Sequence, residues 1–105
     1  MSIGLMIESV NGDRIEEYLP VSGEAFFEQF WLPICRDWDL KLVPQFQTGR
    51  SFDHTDLPLL LAELQKVKNA VISSQDTSAH LLKRVNLLIE RLSALEGNEA
   101  HFFIG

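Results

Sequence analysis

Residues 57–73 read LPLLLAELQKVKNAVIS, and the spacing of their apolar positions decides the fold class. Leu57, Leu60, Leu64, Val67 and Val71 recur at intervals of 3, 4, 3 and 4, the period of one helical face. Thr55 or Asp56 supplies an N-cap, and Pro58 is tolerated in a first turn. A second stripe follows at intervals of 4, 3, 4 and 3, formed by Leu81, Val85, Leu88, Leu92 and Leu95, with Leu82 and Ile89 widening it. It predicts a helix over about 78–96, with Gly97 just past its end. Residues 73–77, Ser-Ser-Gln-Asp-Thr, have the length of a loop between antiparallel helices. Each stripe lasts about two heptads, short of the run that argues for a coiled coil. Internal packing is therefore expected, with a homodimer seam as the other use.

Upstream of this helical hairpin the period changes to two. Ile3, Leu5 and Ile7 alternate with Gly4, Met6 and Glu8, as in a half-buried strand. Asn11-Gly12 signals a turn, so residues 3–21 read as a β-hairpin. A two-residue Asn-Gly loop would set Glu8 opposite Ile15 and Ile7 opposite Glu16. A three-residue loop over Val10 to Gly12 sets Ile7 opposite Ile15, Ile3 opposite Leu19 and Glu8 opposite Arg14. The second register is preferred, because a one-residue slip turns every side chain to the other face. It leaves Glu17 on the apolar face, as a rim residue or as a buried functional carboxylate.

Residues 23–32 read as a helix capped by Ser22, with Glu24 in its first turn and Pro33 ending or kinking it. Residues 40–46, Leu-Lys-Leu-Val-Pro-Gln-Phe, alternate as a short or edge strand demoted by Pro44. Thr48-Gly49 is a turn, Arg50 to Phe52 a second short strand, and Phe102 to Ile104 a last strand. The expectation is a single α+β domain over residues 1–105. It has two layers, an antiparallel or mixed sheet covered by helices, with an N-terminal β-hairpin and an αα-hairpin.

Composition narrows the function classes. The 105 residues carry 9 basic and 15 acidic side chains, a formal charge of −6. That balance argues against a nucleic-acid binder that works by neutralising phosphates. One cysteine excludes an internal disulfide, and with three histidines it cannot build a Cys₂His₂ or Cys₄ zinc site. No apolar run approaches the ~20 residues of a membrane span, and the N-terminus lacks a basic region and signal core. A cytoplasmic protein with a reduced thiol and no cofactor is expected.

Chemistry-bearing residues are sparse. His54 lies in Ser51-Phe52-Asp53-His54-Thr55-Asp56, where two carboxylates flank an imidazole. Asp and His can act as orienter and base, which gives a small hydrolytic or metal-assisted enzyme as one reading. The segment also precedes a helix, where Asp and Thr serve as caps. His80 and His101 have no ligand spacing around them. Cys35, beside Arg36, reads as a small core thiol. The glycines are scattered singly, without a phosphate loop.

The remaining signal is an acidic and aromatic N-terminal half. Residues 8–28 hold Glu8, Asp13, Glu16, Glu17, Glu24 and Glu28 against Arg14 alone, a local net of −5. Phe26, Phe27, Phe30, Trp31 and Trp38 follow closely. They suit a helix packed under a sheet, with one edge exposed as a docking surface where Trp and Phe are favoured anchors. The acidic hairpin, the Phe30-Trp31-Leu32-Pro33 segment, and the glycine turn before Leu57, Leu60 and Leu64 resemble the small cytosolic immunity proteins of bacterial toxin systems. The resemblance implies a non-catalytic module that binds and blocks a protein partner. The candidate contact residues are Glu8, Glu16, Glu17, Glu24, Glu28 and Trp31.

Overall fold

A computed structural model describes residues 2–8, 15–74, 79–97 and 99–105, with the backbone alone for Ile15 and Glu16. Strand β1 (Ser2–Glu8) and strand β2 (Ile15–Gly23) pair antiparallel. Helix α1 (residues 24–37), a 3₁₀ turn (Val43–Phe46) and strand β3 (Arg50–Asp53) follow. Helices α2 (Leu57–Ser73) and α3 (Ala79–Ser93) lead to strand β4 (His101–Ile104). The last strand inserts between β1 and β3, giving one sheet in the order β2-β1-β4-β3 with every neighbour antiparallel.

The helices cover one face of this sheet. Ile3, Leu5, Ile7, Val21, Phe52, Phe102 and Ile104 point to them, and the two helical stripes meet the same core. Leu57, Leu60, Leu64, Val67 and Val71 of α2 and Leu81, Val85, Leu88 and Leu92 of α3 are all buried within the single chain. The stripes thus serve internal packing. The other sheet face carries a row directly across all four strands, Tyr18–Met6–Phe103–Ser51. The Tyr18 ring lies over Gly4, where a Cβ would collide with it.

The hairpin register differs from the expected one. Glu8 faces Ile15, as in the two-residue-loop register, but Ile7 faces Glu17 and Leu5 faces Leu19. The expected pairs Ile7 with Ile15 and Ile3 with Leu19 are not formed, and the loop itself and Arg14 lie outside the described residues. The cause is two bulges in β2. Residue 16 is extra between the first two pairs, and Val21 is extra between Gly4↔Pro20 and Ile3↔Ser22. Each bulge adds one unpaired residue to one strand, so the inward set of β1 keeps its face without an unbroken ladder. Glu17 sits at the rim and pairs with Arg91 of α3. Two turns earlier on α3, Arg84 donates to the Pro20 carbonyl at 3.3 Å, so α3 holds β2 at two points.

Helix α1 does not stop at Pro33. It runs as an α-turn (Glu24–Phe26), a π-turn (Phe27–Trp31) and an α-segment (Leu32–Asp37). The Leu32 N–H bonds the carbonyl of Phe27, five residues back. The widened turn lets the chain pass Pro33, which has no N–H to give and whose ring would press on an ordinary turn. Ser22 does not cap the helix; its hydroxyl donates to the Gly23 carbonyl at 2.8 Å, and Gly23 holds the cap position without a side-chain bond. The helix ends in a Schellman turn. Leu40 N–H bonds Cys35 O at 2.9 Å, and Asp39, with a left-handed φ of 53°, bonds Arg36 O at 3.4 Å.

The expected strand over Leu40–Phe46 is not a strand. Lys41, Leu42 and Val43 donate their backbone N–H groups to the carboxylate of Glu63 at 2.9–3.1 Å. Glu63 is 3% exposed on α2. With its donors taken by a side chain, the segment has no use for a sheet ladder and coils into the 3₁₀ turn. That turn buries Val43 and Phe46. Phe46 then links Phe27 and Trp31 of α1 to Phe52 and Phe102 of the sheet, at centroid distances of 5.4–6.5 Å.

Two stability outcomes follow from this packing. Leu64→Ala and Leu88→Ala each cost about 2–5 kcal/mol in urea denaturation, the usual penalty for a buried leucine that leaves a cavity. Glu63→Gln turns an NH₂ donor toward three backbone donors and costs about 2–4 kcal/mol. Glu63→Ala costs at least as much, because the buried N–H groups of Leu42 and Val43 and the part-buried one of Lys41 lose their acceptor. A cost under about 1 kcal/mol for Glu63→Gln shows that the carboxylate is dispensable.

Candidate functional site

The Asp53–Asp56 segment folds as a turn between β3 and α2. Asp53 Oδ1 accepts the Thr55 N–H at 2.9 Å and the Thr55 hydroxyl at 2.5 Å. These bonds, the hydroxyl's foremost, hold the Asp53 carboxyl below its ordinary value of 3.8, with His54 and His101 adding small electrostatic contributions. Asp56 Oδ2 accepts the Asp53 N–H at 3.1 Å, and its Oδ1 lies 3.5 Å from Arg50. Both carboxylates are thus turned into their own loop. His54 is exposed and lines a separate depression with Glu96 and Glu99. The three residues do not converge. Asp56 occupies the N-cap position of α2 without a side-chain cap bond. Among the described residues, no cluster of three His, Cys, Asp or Glu side chains could hold a metal ion. No helix among them is long and apolar enough to cross a membrane.

The acidic residues are dispersed by the alternation of the strands. Glu8 follows inward-facing Ile7 and stands on the outer sheet face, whereas Glu17 is tied to Arg91 at the helix-side rim. The Glu16 side chain lies outside the described residues. Among the described candidates, Glu24 and Glu28 come together, one turn apart on α1; Glu28 accepts from Gln47 Nε2 at 2.6 Å. Trp31 is a correction to the expected contact set. It is 0% exposed, stacked on Phe27 at 5.5 Å. The i, i+4 relation across the π-turn sends both rings into the core, and the buried Trp31 Nε1 has no hydrogen-bond partner among the described residues.

Tyr18, 54% exposed, stands on the outer sheet face; on α1 and its C-cap the exposed rings are Phe30, 36%, and Trp38, 50%. They line one concavity of about 500 Å³ where α1 meets the end of α2 and the start of α3. Pro33 and Ile34 of α1 and Val71 of α2 form apolar walls, with Asp37 on the α1 side. Phe26 closes the neighbouring contact, 4.6 Å from Phe30 and edge-on to His80 of α3 at 5.1 Å. The Schellman turn leaves Trp38, the helix C-cap, on this surface. Sequence reasoning placed Trp38 in the aromatic cluster with an exposed edge, but named only Trp31 as a contact residue and passed over Asp37. It also passed over Glu63, although its position three residues after Leu60 and four before Val67 places it inside the apolar stripe. A carboxylate on such a stripe signals a buried partner.

Cys35 is buried on α1. Burial first, and then the Glu63 charge, push its thiol from 9.0 up to about 12. A thiol held neutral this way is a weak nucleophile. Its stability contribution is full below 9.0, the unfolded value, and declines as pH rises toward about 12. Iodoacetamide at about pH 8 therefore labels the native chain at least about tenfold more slowly than the urea-unfolded chain; equal rates show an accessible thiol instead. No family model, curated protein or solved structure matches this chain.

Proposed function

We propose that the chain is a non-catalytic protein-binding module of the immunity or inhibitor type, which docks through α1 and blocks its partner by covering a surface the partner needs. The observation that supports it most is the concavity lined by Phe30 and Trp38 on the helix that also carries exposed Glu28 and half-exposed Glu24. Exposed Trp and Phe beside a recess are the side chains that anchor protein interfaces. Glu24 and Glu28 line a separate depression earlier on the same helix, and carboxylates flanking an interface speed encounter with a basic surface more than they hold the complex. The dispersion of Asp53, His54 and Asp56 favours this reading over a hydrolytic one. The acidic contribution is narrower than the N-terminal charge suggests, because Glu8 and Glu17 stand on other surfaces.

The test is association kinetics against the product of the adjacent gene, at low and at physiological salt. The double variant Glu24→Lys/Glu28→Lys is expected to fold, at a cost of about 1 kcal/mol or less. Its association rate at low salt should fall by about tenfold, with a flatter salt dependence. Absence of binding by the unaltered chain overturns the immunity reading. Binding with unchanged rates in the double variant removes the acidic residues from the interface.

A further inference from the structure

We infer that the concavity between α1 and the α2–α3 hairpin is a receptor for an arginine side chain of the partner, presented on an apolar segment. This deepens the protein-binding reading and rests on it. Three observations carry it, and the first is the chemistry of the walls. Trp38 and Phe30 offer exposed rings, and Asp37 is the one charged side chain among the described residues that line the recess. A guanidinium stacks on aromatic faces and pairs with a carboxylate at once, which an ammonium does less well. Pro33, Ile34 and Val71 suit the methylene stem that leads to it.

The second observation is where the neighbouring cations are. Arg36 lines a different depression with Cys35 and Leu40, and Lys41 pairs with Asp39 at 3.0 Å. Among the described residues none forms an ion pair with Asp37. The third is the position of Asp37. It is the last residue of α1, where the helix dipole is negative and a carboxylate is disfavoured. An anion set against the dipole, unpaired, beside two exposed rings, is an arrangement that stability alone does not favour and that a cationic ligand does. The volume, about 500 Å³, exceeds one side chain, so apolar residues flanking the arginine enter with it.

The probes are capped octapeptides with a central arginine between leucines, and the same peptide carrying citrulline, an uncharged isostere. Titration into the ¹⁵N-labelled chain reads the two indole N–H resonances, Trp38 on the surface and Trp31 in the core. The arginine peptide should shift Trp38 and leave Trp31 unmoved, and citrulline should weaken binding at least tenfold. Asp37→Asn should weaken the arginine peptide to the citrulline level while its melting temperature stays the same or rises, as removal of an anion from a helix C-terminus requires. Trp38→Ala should abolish the shift of the Asp37 amide. Equal binding of the two peptides, no binding of either, or an unaffected Asp37→Asn overturns the inference. If the adjacent gene product binds the unaltered chain and Asp37→Asn and Trp38→Ala equally, this inference falls and the protein-binding reading stands. Arginine-specific peptide binding without binding to that product gives the reverse.

Discussion

The carboxylate of Glu63 organises the half of the molecule built around α1 and the 3₁₀ turn. It is buried, it forms no ion pair among the described residues, and its oxygens take the backbone N–H groups of three successive residues, Lys41 to Val43. Burying a charge is costly unless hydrogen bonds replace water, and backbone donors held in a turn make that replacement. The bonds fix where the chain goes after α1. They let an apolar segment sit under the helices without a strand to pair with, and they deliver Phe46 to the aromatic contact between α1 and the sheet. The same charge, after burial itself, raises the Cys35 thiol. One side chain on α2 thereby joins α1, the 3₁₀ turn and the sheet into one core.

Features set by local chemistry were legible in the sequence. The 3.6-residue stripes placed α2 and α3, the period of two placed β1, and Gly97 took its left-handed conformation with φ 84° just beyond α3. Arg50 to Phe52 and Phe102 to Ile104 were read as strands, and the structure pairs them with each other. The errors have non-local causes. Leu40 to Phe46 alternate like a strand, but the group that satisfies them is 20 residues or more away. Pro20 marks an edge or a bulge beside Val21, but nothing marks the extra residue at position 16, so the register could not be read from alternation alone. Pro33 ends a helix only if the turn before it is an ordinary one.

The candidate surface was legible only in its parts. The aromatic density around residues 26–38 was visible, but periodicity could not say that the π-turn buries Trp31 and leaves Phe30 at the border. The acidic run from 8 to 28 looked like one surface because its members are close in sequence. Pairing of β1 with β2 separates Glu8 from Glu17, and the turn into α1 carries Glu24 and Glu28 elsewhere. The recess beside Trp38 is made by three helices, two of which contribute residues over thirty positions away along the chain, so no window of sequence contains it. Asp53 and Asp56 show the opposite case, where local capping chemistry accounts for the residues that looked most like a catalytic cluster.

The two bulges in β2 have a bearing on how the molecule behaves in bulk. β2 is the longer of the two outer strands of the sheet, nine residues against four in β3. A straight run of that length would offer a template on which further chains could polymerise. Here the run is interrupted twice, Pro20 has no N–H to offer, and the Pro20 carbonyl is occupied by Arg84. The sheet is terminated at four strands by its own irregularity. Such an edge disfavours the pairing of one copy of the chain on another, strand to strand.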